Sequence, residues 1–162
     1  LIGAWQIYRP PTTPLPTVME ARVRPEDLKK FVDAYDERRR LLRALDSLDA
    51  QSRKGKIPRR VYKARTTTID NRLASMSRDL AGLRDKIRTG GPRYADLMRQ
   101  LEVAENELRG VEADINRAEV GYRRGEISAA SYHQLLEGAY RRRERARTTI
   151  DGVVLRLKEE IT

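Results

Sequence analysis

The side chains best suited to binding chemistry form a run of cations within residues 53–65. No acidic residue interrupts the run, so its positive potential is not cancelled locally. Such a cluster suits contact with the phosphates of nucleic acid or of lipid headgroups. Pairing with acids on neighbouring helices is the alternative, and the sequence favours neither. The run consists of Arg53, Lys54, Lys56, Arg59, Arg60, Lys63 and Arg65.

A second group of arginines surrounds Glu144 further along the chain. For this group we expect salt bridges to neighbouring helices, because acids are frequent there; the candidate acids are Asp33, Asp36, Glu37 and Glu112. Arg143 falls near an apolar seam, where a cation must pair with an acid or extend to solvent. The group consists of Arg141, Arg142, Arg143, Arg145 and Arg147.

The sequence contains few residue patterns that are typical of catalytic sites. Acid–base catalysis needs carboxylates with different pKa values in a cleft, whereas the acids of 102–112 lie among the polar positions of a helix. His133 is the single histidine, there is no cysteine, and no phosphate-loop, dinucleotide or zinc-protease motif occurs. The sequence therefore predicts no catalytic residue, no cofactor and no metal site, and we expect a protein that is not an enzyme.

The composition favours long charged helices. Of the 162 residues, 36% are charged and 39% hydrophobic, a ratio typical of heptad-patterned helices. The net charge of +10 points to an anionic partner, although charge on narrow, wet helices also serves solubility.

From Pro25 onward, apolar residues recur in alternating steps of three and four, the spacing of coiled-coil seams. Short breaks at 53–58, 88–92 and 123–128 require antiparallel neighbours. The sequence thus predicts an all-α fold of two antiparallel hairpins, 25–88 and 92–161, in an elongated or up-down four-helix arrangement. The predicted seam residues include Leu80, Ile87, Leu101, Tyr122, Leu135, Ile150 and Leu157.

The first and third breaks repeat one motif 70 residues apart: two basic residues, Gly, any residue, Ile, Pro or Ser, and Tyr four positions later. Gly55 and Gly125 suit the left-handed conformation that ends a helix. Ser128 suits an N-cap, and Pro58 suits the first turn of the next helix. The Ile and Tyr positions have the spacing of a hydrophobic staple, which makes the tyrosines structural. These positions are Ile57, Tyr62, Ile127 and Tyr132.

Residues 1–24 form an apolar segment followed by a proline-rich linker. Trp5, Ile7 and Tyr8, followed by a basic residue, are typical of a transmembrane helix at the water interface, and the first residue, Leu, leads us to expect a preceding segment. Eight residues are too few to span a bilayer, which takes about 20. There are two alternatives for this segment: it docks on the rest of the protein or on a partner, or it is a leftover expression sequence.

Residues 25–161 resemble archaeal membrane-associated coiled-coil proteins, in which a basic Gly-x-Ile-[Ser/Pro]-x-x-x-Tyr turn follows a long charged helix. The chain is also similar to the basic helical hairpin of ESCRT-III-type membrane-remodelling proteins, from which a duplicated pair of equal hairpins departs. The resemblance implies membrane association and no particular activity.

These features favour a non-catalytic scaffold or adaptor near a membrane, in the cytoplasm or on the cytoplasmic side. Its expected partners are proteins, including a second copy, and an anionic membrane surface, with no small-molecule substrate. The alternative is a sequence-nonspecific nucleic-acid-binding protein that uses the basic tip of the first hairpin. Few aromatic residues remain for base stacking, which weighs against this alternative.

Overall fold

The computed structural model describes residues 23–161, which form four long α-helices and no strand. Pro25 and Pro92 begin their helices, since proline has a helix-compatible φ and needs no amide partner in the first turn. The predicted all-α fold is confirmed. The helices are α1 (Pro25–Arg53), α2 (Arg59–Arg88), α3 (Pro92–Arg123) and α4 (Ala129–Glu159).

The helices pair as two antiparallel hairpins: α1 with α2 (hairpin 1) and α3 with α4 (hairpin 2). In addition, α2 packs on α3 and α1 packs on α4, but less extensively. The result is an up-down-up-down order around a four-helix core.

The hydrophobic core lies at one end of the molecule, here called the base. There the first halves of α1 and α3 meet the last halves of α2 and α4. Every hydrogen bond and ion pair found between the hairpins in residues 23–161 lies in this half. Burial of large side chains from all four helices stabilises the joint. Among the most buried of them are Phe31, Ile87, Met98, Leu101, Val153 and Leu157.

The two hairpins repeat at an interval of 70 residues. The first helices of the hairpins end at Arg53 and Arg123, and their second helices begin at Arg59 and Ala129. Both hairpin turns therefore fall at the same position of the repeat, and both lie at the end remote from the base.

An interhelical ion pair follows the same repeat. In hairpin 1, Arg72 of α2 binds Glu37 of α1 through two nitrogens, each 3.0 Å from a carboxylate oxygen. Arg142 and Glu107 occupy the equivalent positions in hairpin 2, with 3.6 Å between Nε and Oε1. The repeat thus extends from the turns into the helices.

Both hairpin turns use a left-handed glycine. Gly55 has φ of 68° and Gly125 has φ of 71°. In the second turn, the amide of Gly125 donates to the carbonyl of Tyr122 at 3.1 Å, and the amide of Glu126 donates to that of Gly121 at 2.9 Å. This Schellman pattern satisfies the last carbonyls of the helix.

The helices that follow the turns begin differently. Ser128 caps α4, because its hydroxyl accepts a hydrogen bond from the amide of Ser131 at 3.1 Å. Pro58 was predicted to lie in the first turn of α2. It lies one residue earlier, at the N-cap. Its ψ of 144° is extended, and its carbonyl accepts from the amide of Tyr62 at 3.0 Å.

Two residues predicted to lie in seams are largely exposed: Tyr122 at 44% and Leu135 at 53%. Both lie towards the tip of hairpin 2, beyond the base where four helices provide cover. A two-helix segment leaves part of each apolar stripe uncovered.

Candidate functional site

The candidate site is the tip of hairpin 1, defined as residues 50–69 (tip 1). All seven basic side chains predicted as an anion-binding cluster lie there and are exposed: Arg53, Lys54, Lys56, Arg59, Arg60, Lys63 and Arg65. None of them forms a salt bridge with another residue of the described chain. Within residues 23–161, the alternative of intramolecular pairing is therefore not realised for this cluster.

The equivalent tip of hairpin 2, residues 120–139 (tip 2), has a different charge. Arg123 and Arg124 are offset there by Glu126 and Glu137. The whole chain has a net charge of +10, and the seven uncancelled cations of tip 1 account for most of it. The same backbone turn is thus strongly basic in one hairpin and neutral in the other.

Tyr62 and Tyr132, the two tyrosines predicted to form hydrophobic staples, make different contacts at the two tips. The Tyr62 hydroxyl donates to Asp49 Oδ1 at 2.6 Å, and this hydrogen bond raises the pKa of Tyr62. Tyr132 instead stacks on Tyr122, with ring centroids 4.5 Å apart. Burial, followed by the charge of Glu119, raises the pKa of Tyr132. Each ring joins the two helices of its hairpin.

The arginine group around Glu144 forms salt bridges, but only in part and with other acids than expected. Arg142 binds Asp114 and lies 3.6 Å from Glu107, both on α3. Three of the acids named from the sequence lie on α1 and have other partners, because α3, not α1, lies beside this part of α4. Their observed pairs are Asp33 with Lys29, Asp36 with Lys158 and Glu37 with Arg72. Glu112 lies on α3 but forms no ion pair within the described residues.

Arg143, near the seam of α4, does not pair with an acid in the described chain. Its guanidinium carbon lies 4.6 Å from the ring centroid of Tyr140, one turn earlier on the same helix. Stacking on an aromatic face compensates partly for the half-burial of this cation.

A polar cluster at the base was not foreseen from the sequence. Glu105 is buried and accepts two hydrogen bonds from Arg84, both at 2.7 Å, while the Tyr35 hydroxyl donates to Glu105 Oε2 at 3.2 Å. Burial and the charge of Glu105 raise the pKa of Tyr35. Burial opposes the charge of Arg84, but hydrogen bonding to Glu105 raises its pKa overall. The cluster joins α1, α2 and α3.

The polar groups of this cluster are directed at one another, so the arrangement is structural. Arg84 also lies over the ring of Phe31, with 5.7 Å between its guanidinium carbon and the ring centroid. His133 is exposed at the start of α4. Within residues 23–161, no group of three His, Cys, Asp or Glu side chains is placed to hold a metal ion.

The hypothesis that Trp5, Ile7 and Tyr8 dock on a membrane or a partner concerns residues outside the described ones. Within the described part of the chain, none of the four helices has an apolar stretch long enough to cross a bilayer. No family model matches the sequence, and no curated protein is significantly similar to it.

Proposed function

We propose that this protein is a non-catalytic helical scaffold that binds an anionic membrane surface through tip 1. The observation that carries the proposal is the contrast between two tips of the same backbone design. Tip 1 carries seven exposed cations that form no ion pair in the described part of the chain, whereas the charges of tip 2 cancel. A structural requirement of the turn would apply to both tips, so the charge of tip 1 needs another explanation.

The shape of the molecule supports this assignment. Tip 1 lies at the end of helices of 29 and 30 residues, each about 44 Å long, whose other halves form part of the base. Cations that surround a projecting turn can approach a flat anionic surface together, and each contributes about 1 kcal/mol near anionic lipid. The base, where both hairpins join, remains away from that surface.

Binding to nucleic acid is the competing function, because phosphates also bind basic clusters. Single-stranded binding gains much of its affinity from stacking of bases on exposed aromatic rings. Tyr62, the one aromatic residue of tip 1, is half-buried, and its hydroxyl is held by Asp49. Tip 1 therefore offers charge without a stacking surface, which favours lipid headgroups.

The test is vesicle flotation of this chain with neutral vesicles and with vesicles containing phosphatidylserine. We expect binding to the anionic vesicles only, and less of it at about 0.5 M salt because exposed charges are then screened. The double variant Arg53→Glu/Lys54→Glu should lose most of this binding. Its control is Arg123→Glu/Arg124→Glu, which reverses the equivalent positions of tip 2 and should bind as the wild type does.

Three results would reject the proposal. Equal losses in the two double variants would assign binding to net charge alone. Attachment that survives both high salt and the tip 1 substitutions would assign it to the apolar residues 1–8. Absence of vesicle binding, together with salt-dependent binding of a fluorescent DNA duplex that the tip 1 variant loses, would establish the nucleic-acid alternative.

A further inference from the structure

Each hairpin carries an open groove between its two helices, on the same flank and near its tip. Every residue that lines the groove of hairpin 1 has a counterpart 70 positions later in the lining of the hairpin 2 groove. Leu48 and Ile69 in the first groove correspond to Ala118 and Ala139 in the second. The smaller side chains deepen the second groove, whose volume is about 850 Å³ against about 550 Å³.

The groove of hairpin 2 also continues towards the base. A second stretch of about 590 Å³ adjoins it and shares Arg142 and Arg145 with it. On α3 the combined groove runs from Arg99 to Gly121, a rise of about 33 Å.

Large apolar side chains line the hairpin 2 groove in an exposed state. Val103, in the stretch near the base, is 63% exposed, and Leu135, near the tip, is 53% exposed. Side chains of this size gain about 1.5–3 kcal/mol each when they are fully buried. Apolar contacts are therefore available at both ends of the groove.

The rim of the groove is positive. Arg141 and Arg145 are exposed on α4 and form no ion pair within the described residues, whereas Arg142 and Arg117 bind Asp114. Five arginines line the combined groove, against three acids. Two cations thus remain free to meet carboxylates from another molecule.

We propose that the groove of hairpin 2 binds an acidic amphipathic α-helix of a partner protein, packed as a third helix against α3 and α4. An apolar stripe at positions i, i+3, i+4 and i+7 of that helix would cover Val103 and Leu135. Carboxylates beside the stripe would pair with Arg141 and Arg145. The +10 net charge of the chain disfavours a second copy in this place, since like charges repel.

The test uses synthetic peptides of about 21 residues, long enough for the groove at 1.5 Å per residue. One has a leucine stripe flanked by glutamates, a second has lysines in place of the glutamates, and a third has the composition of the first in an order without a stripe. Fluorescence anisotropy should show saturable binding of the first peptide alone.

Two groove variants then locate the binding. Arg141→Glu/Arg145→Glu removes the charge complementarity, and Val103→Glu removes apolar contact; each should weaken binding of the acidic peptide by about tenfold or more. Arg59→Glu/Arg60→Glu in tip 1 reverses the same number of charges elsewhere and should leave peptide binding unchanged. Circular dichroism verifies that each variant is folded.

Unchanged peptide binding in both groove variants would overturn the proposal, as would equal binding of the peptide without a stripe. A wild-type dimer in sedimentation that Val103→Glu converts to monomer would assign the groove to a second copy instead. Vesicle binding lost in Arg141→Glu/Arg145→Glu, with tip 1 intact, would assign it to lipid. The proposal of membrane binding through tip 1 is tested independently, because the tip 1 variants lie outside the groove.

Discussion

Tyr35 and Glu105 occupy equivalent positions of the two repeats, 70 residues apart, and are hydrogen-bonded to each other at 3.2 Å. When equivalent residues touch, a local two-fold axis passes between them. The pattern of helix packing agrees, because α2 packs on α3 and, equivalently, α4 packs on α1. The two hairpins therefore meet as the subunits of a symmetric dimer do, with one polar pair at the axis.

Glu105→Leu should destabilise the protein by roughly 3 kcal/mol, because it leaves the mostly buried Arg84 without its carboxylate. The double variant Arg84→Met/Glu105→Leu should lose less than Glu105→Leu alone, since no uncompensated charge remains. Urea unfolding followed by circular dichroism measures all three proteins. A double variant less stable than Glu105→Leu would contradict this account.

The stability of the protein should depend on Tyr35 at alkaline pH. Burial and the charge of Glu105 raise the pKa of Tyr35 in the folded state, whereas an unfolded tyrosine titrates near about 10. Its stabilising contribution is thus complete below about pH 10 and declines as the pH rises further. Between about pH 8 and 11, the wild type should lose more stability than Tyr35→Phe does.

Urea denaturation at the two pH values tests this difference. Tyr140→Phe provides the control, because Tyr140 is exposed on α4. It should lose as much stability as the wild type over the same interval. Identical losses in the wild type and Tyr35→Phe would show that Tyr35 does not carry the effect.

Gly125→Val should lower the melting temperature markedly. Left-handed backbone costs an L-residue about 1–2 kcal/mol, and Gly125 has φ of 71°. The same substitution at Gly110, which lies inside α3 with open space where a Cβ would be added, should have little effect. If thermal melts showed equal losses for both, strain at the turn would not be the cause.

Tyr62→Phe should destabilise hairpin 1 slightly, since it removes the hydrogen bond to Asp49. Tyr132→Phe is its matched partner in hairpin 2. The Tyr132 hydroxyl makes no hydrogen bond within residues 23–161, and its ring stacking on Tyr122 would persist. Thermal melts should therefore show a loss for Tyr62→Phe alone, and the reverse order would contradict the assignment.

Turn chemistry was the most reliable guide to the fold. Gly55, Gly125 and Ser128 are local signals: a glycine that ends a helix and a hydroxyl that caps the next depend on neighbours a few residues away. Pro25 and the 88–92 link marked helix ends for the same reason. Sequence reasoning therefore located the helices and their pairing.

Contacts between the hairpins were not accessible in this way. Glu105 follows the seam residue Ala104, and its burial depends on α1 and α2, which lie across the base. The 70-residue interval relates Glu105 to Tyr35, so the repeat is the one signal in the sequence that indicates this contact. The hairpin 2 groove was also missed, because its depth depends on Ala118 and Ala139 replacing larger residues of hairpin 1.

Because the two hairpins share one core at the base, a chain cut between them would yield two fragments with exposed core residues. If the link at Gly90 were severed, each hairpin would expose its half of the core, including Phe31 in one fragment and Leu101 in the other. Two copies of hairpin 2 would bring two Glu105 carboxylates together at the axis, where they repel. Two copies of hairpin 1 would leave Arg84 without an acid. The two fragments should therefore form a heterodimer in preference to either homodimer. The difference between tyrosine and glutamate at one repeated position would determine this preference.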